Sequence, residues 1–158
     1  MDINKKAVQE DVIDLDLSAI KKRRIRLNGD PNNYVELNLS DMNIVSRLNK
    51  IYPKLKKLGE EAVELSKEES SDNTEEELLK FATKLETIDS KMSKLIDELF
   101  DAEISEKCKD GGTMYDPFNG EFRFEHVIEA FAGLYENSFK SEFAKVKQRT
   151  EKHTSKYF

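Results

Sequence analysis

The sequence predicts a mainly α protein: an N-terminal β-hairpin, a long antiparallel helical hairpin with heptad seams, and a C-terminal helix packed across it. Three observations predict this. Apolar residues recur at alternating steps of four and three through residues 44–65 and again through 78–99, the spacing of a helical seam. Before them, two short runs alternate apolar and polar residues around a turn-rich stretch, as half-buried strands do. The chain also has no Trp, only 6 Gly and only 3 Pro, too few turn formers for an all-β sandwich.

The alternating runs come first. Ile25 and Leu27 alternate with Arg24, Arg26 and Asn28, and Val35, Leu37 and Leu39 alternate with Tyr34, Glu36 and Asn38. Between them "NGDPNN" supplies Gly29 for unusual dihedrals, Pro31 to fix φ, and Asn32 and Asn33, which tolerate the left-handed region. The reading is a hairpin over 24–39. A lone two-stranded hairpin is marginal in water, so its apolar face must sit on something.

Ser40 is a good N-cap and Asp41 suits a first turn, so a helix is expected over about 41–66. Ile44, Leu48, Ile51, Leu55, Leu58, Ala62 and Leu65 form its seam, and Pro53 inside it is expected to kink or split the helix near Tyr52. "SKEESSDN", 66–73, interrupts the pattern. Thr74 and Glu77 then make a Thr-x-x-Glu capping box, and Leu78, Phe81, Leu85, Ile88, Met92, Leu95 and Leu99 form the second seam. Leu79, Ile96 and Phe100 widen it, which calls for a third element. This helix is expected to run on to about residue 109 and to end at Gly111-Gly112. Equal lengths and a short connection imply an antiparallel pair. A last helix, over about 124–147, carries Val127, Ile128, Phe131, Leu134, Tyr135, Phe139 and Phe143. The domain reading is a flexible arm over 1–20, a single α-rich domain over 21–147, and a polar tail over 148–158.

Composition narrows function. A chain of 158 residues that is 37% apolar and 37% charged fits long solvated helices with narrow seams. Its net charge of −6 does not suit a phosphate backbone. Basic spots stand out at "KKRR", 21–24, and over 140–158, where six Lys/Arg face two Glu. Their default is a solvated surface, so nucleic acid is not the expected partner. The single Cys108 excludes an internal disulfide framework and fits a reducing compartment. The first seventeen residues hold no continuous apolar stretch and do not read as a signal peptide. Nothing approaches a membrane-spanning length, and the expected location is the cytoplasm.

Chemistry is sparse. His126, His153 and Cys108 are scattered, with no His-x-x-x-His or Cys-x-x-Cys, so no metal is expected. "DGGTMYDPFNGE", 110–121, fails the calcium-loop pattern because ligand positions fall on Gly112 and Met114. No Gly-x-Ser-x-Gly occurs, and no nucleophile, base and acid converge in the sequence. The chain is read as a non-enzyme without a cofactor. The seams and the aromatic stripe offer more apolar surface than one helical hairpin buries, which points to protein binding, including self-association. The candidate partner-binding residues are Ile44, Leu48, Phe131, Tyr135 and Phe139. Met42, Val45, Phe118, Phe122 and Phe124 are further candidates for a groove.

Two stretches, "RIRLNGDPNNYVELNLSDMNIVSRLNKIYPKL" and "FEHVIEAFAGLYENSFKSEFAKVKQRTEKHTSKY", resemble small proteins encoded in the structural and tail-morphogenesis region of temperate phages and prophages of Gram-positive bacteria. The resemblance covers residues 24–58 and 124–157; the heptad middle lies outside it. It implies a tail assembly chaperone-like protein, a helical binder of an apolar partner such as the tape measure or tail tube protein. A structural virion component and a regulatory or host-defence-interacting protein stand as alternatives.

Overall fold

The computed structural model describes residues 11–17, 22–68 and 74–157, with side chains to residue 151. The elements in order are β1 (Arg23–Arg26), β2 (Tyr34–Leu37), α1 (Asn43–Glu68), α2 (Glu75–Phe100), α3 (Ser105–Cys108), β3 (Pro117–Phe118), β4 (Glu121–Phe122) and α4 (Arg123–Tyr157). The fold is the expected one: a two-strand antiparallel hairpin, two long packed helices and a C-terminal helix. Of the arm over 1–20, residues 11–17 are exposed and form neither helix nor strand; residues 1–10 and 18–20 lie outside the described residues.

β1 and β2 pair with Ile25 opposite Val35. The loop between them, residues 28–32, opens with Asn28 and Gly29 at φ 55° and 69°, two consecutive left-handed residues in a tight turn closed by the Asp30 N–H donating to the Leu27 carbonyl at 3.1 Å. The left-handed positions are thus Asn28-Gly29 rather than Asn32 and Asn33. Asn33 and Asp30 instead close a second turn through backbone bonds and the Asp30 carboxylate, which accepts the Asn32 N–H at 2.9 Å. Val35, Leu37 and Leu39 are buried. The hairpin is fastened to α3: Lys107 Nζ donates to the Tyr34 carbonyl at 2.9 Å, and the Asn33 amide donates to the Lys107 carbonyl at 3.3 Å. Arg24 and Lys107 both lie over the Tyr34 ring, where the π-face attracts their charge.

α1 begins at Asn43, two residues later than expected, because Asp41 turns the chain by accepting the Asn43 N–H at 3.0 Å. Ser40 is not its cap. Pro53 does not split the helix, which is continuous from Asn43 to Glu68. Pro53 and Asn49, whose carbonyl loses its usual donor, are both exposed, so water can serve that carbonyl. The Thr74–Glu77 capping box opens α2 with both reciprocal bonds. Both seams then bury most of their length, with Ile51, Leu55, Ile88, Met92 and Leu99 in the core. Leu78 and Leu79, at the far end of α2, are exposed instead.

α2 stops at Phe100 and does not reach residue 109. Asp101 takes a left-handed conformation with φ 51° and closes the C-terminus. One turn back, Asp97 reaches forward and accepts the N–H groups of Ile104 and Ser105 at 2.9 and 2.8 Å and the Ser105 hydroxyl at 3.0 Å. It so caps α3 from the preceding helix. α2 has no basic residue in its last turn. Arg47 of α1 takes that place, donating Nε to the Leu99 carbonyl at 2.8 Å and pairing with Asp41 at 2.6 Å. Asp110-Gly111 is a left-handed turn after α3, not the end of α2. Asn119-Gly120, both at positive φ, turns a second hairpin, β3–β4.

α4 packs through rings. Phe122 sits on α1 at Gly59, where an added Cβ would lie 2.8 Å from its ring. Phe124 meets Tyr52 at 6.4 Å, and Phe131 and Tyr135 meet Phe100 at 5.2 and 6.2 Å. The helix therefore descends α1 from Gly59 towards the level of Arg47 and runs antiparallel to it. It continues to Tyr157, so residues 148–157 are helix and not a separate tail.

Candidate functional site: a cleft between the hairpin and the third long helix

A cleft of about 690 Å³ opens where β1, α3, the 110–118 loop and α4 meet. β1 and its turn supply Ile25, Leu27 and Asn28 on one wall. α4 supplies Val127, Ala130, Phe131 and Leu134 on the other. Cys108 of α3 and the rim residues Asp110, Asp116, Phe118, Arg123 and His126 complete it. The alternation of β1 turns Ile25 and Leu27 to the same face, and the spacing 127, 130, 131, 134 keeps four α4 residues on one stripe. Phe118 and Leu134 stand exposed at the mouth, Phe118 at 58%.

The rim is built by a polar network anchored on α2. Asp89 accepts the Met114 N–H at 2.8 Å and the Lys109 ammonium at 2.9 Å. Lys109 is only 6% exposed. Burial pulls its pKa down, but Glu106 and Asp89 outweigh this and hold it above the ordinary lysine value. Asp116 is also pushed up by burial. Hydrogen bonds from the Thr113 hydroxyl and amide, with Arg123 beside it, reverse this and hold it below the ordinary carboxylate range.

Two polar groups of the cleft, Arg123 and Asp116, are tied into this network. Arg123 donates Nε to the Thr113 carbonyl at 3.1 Å and pairs with Asp116. The Cys108 thiol is pushed up to about 11, first by burial and then by the Asp97 charge. It is a thiol at neutral pH, a poor nucleophile. Against an ordinary thiol at 9.0, this means roughly a hundredfold less thiolate. Alkylation of Cys108 by iodoacetamide at pH 8 should therefore run at least about a hundredfold slower than that of a small free thiol. Because its folded pKa is raised, Cys108 contributes stability that is whole below pH 9 and is lost as pH rises towards 11. A thermal-melt series from pH 8 to 11 should show the loss.

One potential metal-ligand trio stands at the outer rim. Glu121 of β4 and His126 and Glu129 of α4 bring ligand atoms within 4.8 Å of one another. Imidazole and carboxylates are the ligand types a divalent transition ion takes, but His126 and Glu129 are exposed. Sequence spacing shows only His126 and Glu129 at i, i+3; Glu121 joins them from another element.

The residues expected to bind a partner lie elsewhere. Ile44, Phe131 and Tyr135 are buried in the core, and Leu48 and Phe139 are partly buried against it. Only Phe131 touches the cleft. Intramolecular packing uses all five. Tyr135 is so enclosed that its phenol is pushed up to about 12, by burial first and by Asp41 second. Of the second group, Phe124 is core and Phe122 packs on Gly59, while Met42, Val45 and Phe118 are exposed. Phe143, at core-facing spacing in the sequence, is exposed.

Fold and cleft together define a mainly helical protein with two short hairpins and an open, largely apolar cleft. No protein-family model, no curated protein and no solved structure matches the chain. Among the described residues, no helix is long and apolar enough to cross a membrane.

Proposed function

We propose that this chain is a non-enzymatic phage or prophage assembly protein, a tail assembly chaperone-like binder. It holds an apolar segment of a structural protein, such as the tape measure or tail tube protein, in the cleft between β1 and α4. The observation that carries this reading is the cleft itself: a volume near 690 Å³ with Phe118 and Leu134 open at its mouth. Its rim cation Arg123 is paired with Asp116, and its one thiol is protonated at neutral pH. Such a site favours shape and apolar contact over chemistry on the ligand. The resemblance of residues 24–58 and 124–157 to small phage morphogenesis proteins supplies the biological setting. The host cytoplasm, where tails are built, is the corresponding location.

A structural virion component is the second reading, favoured by the uncovered distal half of α4, which a neighbouring subunit could cover. Deleting the gene from its lysogen and inducing the prophage tests the proposal. The expected result is particles with missing or misassembled tails, with the protein absent from purified wild-type particles. A steady copy number in those particles would assign the virion role instead. Normal tails and normal infectivity would overturn both.

A further inference from the structure

The cleft has the form that a missing strand would leave. β1 has one neighbour in its sheet, β2. Val35 and Leu37 of β2 are buried, whereas Ile25 and Leu27 of β1 are only partly buried and line the cleft. The Leu27 N–H donates to the Asn33 carbonyl at 2.8 Å. Residues of an antiparallel pair alternate between bonding the neighbour and pointing away from it. Ile25 and Leu27 therefore bond towards β2, and Arg24 and Arg26 turn their backbone N–H and C=O groups to the open edge. Such an edge is a template for a further strand.

The side chains of β1 specify which strand. Ile25 and Leu27 lie on the cleft face, and Arg24 and Arg26 on the other. Arg24 pairs with Glu36 of β2 at 3.4 Å, while Arg26 makes no ion pair with a described residue. Arginines on an edge select an acidic strand over a neutral or basic one. The complement to "RIRL", 24–27, is an alternation of acidic and apolar residues, and "IDLDL", 13–17, is one. Residues 11–17 hold three Asp and no cation. Ile13, Leu15 and Leu17 are 86%, 75% and 83% exposed, more bare apolar surface than a seven-residue segment keeps without a use. Laid antiparallel to β1 with Leu15 opposite Ile25, the segment sets Ile13 opposite Leu27, Asp14 opposite Arg26 and Asp16 opposite Arg24. Ile13 and Leu15 then cover the cleft, and both carboxylates lie beside a guanidinium.

We propose that residues 13–17 of a second copy of this chain add to the open edge of β1 as a third strand. The single chain leaves its arm exposed and its edge open in the same structure, so it does not satisfy either with the other. Each copy carries one arm and one edge, and reciprocal exchange closes a two-fold dimer. The cleft is the one assigned to the apolar partner, so the exchanged arm is its occupant until that partner displaces it. The exchange goes beyond the proposed function: it rests on arm and edge alone and is read on the purified protein.

The test is sedimentation velocity of the full chain over a concentration range, with Asp14→Arg and Arg26→Asp as variants. Both positions are exposed, so at low concentration each variant should keep the wild-type melting curve. The wild type should pass from monomer to dimer as concentration rises, and amide hydrogen exchange over residues 13–17 should slow in step. Each variant sets like charges opposite one another at both contacts and should dimerise at least about tenfold more weakly. An equimolar mixture of the two restores opposite charges at both contacts and should dimerise as the wild type does. A wild type that is monomeric at every concentration would overturn the proposal, whether its arm is protected by its own edge or exchanges freely. So would variants that dimerise as tightly as the wild type, or a mixture that stays monomeric.

Discussion

Phe124→Ala should destabilise the protein by about 3–5 kcal/mol, the range for truncating a buried aromatic ring. Phe124 is 0% exposed. Its ring stacks on Phe122 at 5.6 Å and meets Tyr52 at 6.4 Å. Its backbone N–H donates to the carbonyl of Met114, which is itself 0% exposed. The site is held from three directions, by α1, by the 113–122 loop and by α4, so the cavity left by Ala has little room to collapse. In a domain of this size the loss amounts to a fall of roughly 6–20 °C in melting temperature. Phe143→Ala on the same helix is the control. Its ring is exposed, so the monomer should change by no more than about 0.5 kcal/mol. Thermal melts of the two variants at low protein concentration check both numbers.

Asp89→Ala should cost about 3 kcal/mol, because one carboxylate serves two buried donors. Removing it leaves the Met114 N–H without that acceptor, and leaves Lys109, buried on α3's C-terminal side, with only the exposed Glu106 carboxylate. Stranding a buried cation or donor is costlier than never having placed it there. Asp89→Asn should recover part of the loss, since its carbonyl still accepts the Met114 N–H but carries no charge for Lys109. The order wild type, Asn, Ala in urea midpoints is the expected result. The Lys109 pKa is raised, so its contribution is whole below pH 10.5 and is lost as pH rises through the folded value. The gap between wild type and Asp89→Ala should therefore narrow in strong base.

Both effects sit where the sequence was hardest to read. The seams were legible because 3.6-residue periodicity is local, and residues 44–65 and 78–99 state it plainly. The Thr74–Glu77 cap was legible for the same reason. The end of α2 was not. Nothing near Phe100 forbids helix; what stops it is Asp97 reaching to Ile104 and Ser105, a side-chain bond with no periodic trace. The second hairpin was legible and went unread: Asn119-Gly120 is the same dipeptide that turns the first at Asn28-Gly29. Pro53 leaves the helix unbroken, the Asn49 carbonyl that loses its donor lying on an exposed face.

The candidate site shows a different limit. Phe131, Phe139 and Phe143 share one spacing and one stripe, yet the first is core, the second half-covered and the third bare. What separates them is how far α4 runs past the ends of α1 and α2. Periodicity marks a face, and only the partner's length decides whether that face is covered. The cleft likewise joins residues from β1, α3, the 110–118 loop and α4, a convergence that no single stretch of sequence carries.

The most direct measurement of the central claim, that this protein acts by holding another protein's apolar segment, is site-specific photo-crosslinking from the cleft mouth. A benzophenone side chain placed at Phe118 in the induced lysogen should capture a phage structural protein, with the same side chain at Lys54, exposed and outside the cleft, as a control that captures nothing. Leu134→Asp should abolish the cross-link while leaving the fold intact. Cross-linking from position 118 that yields no partner, or a partner whose capture Leu134→Asp does not affect, would contradict the account.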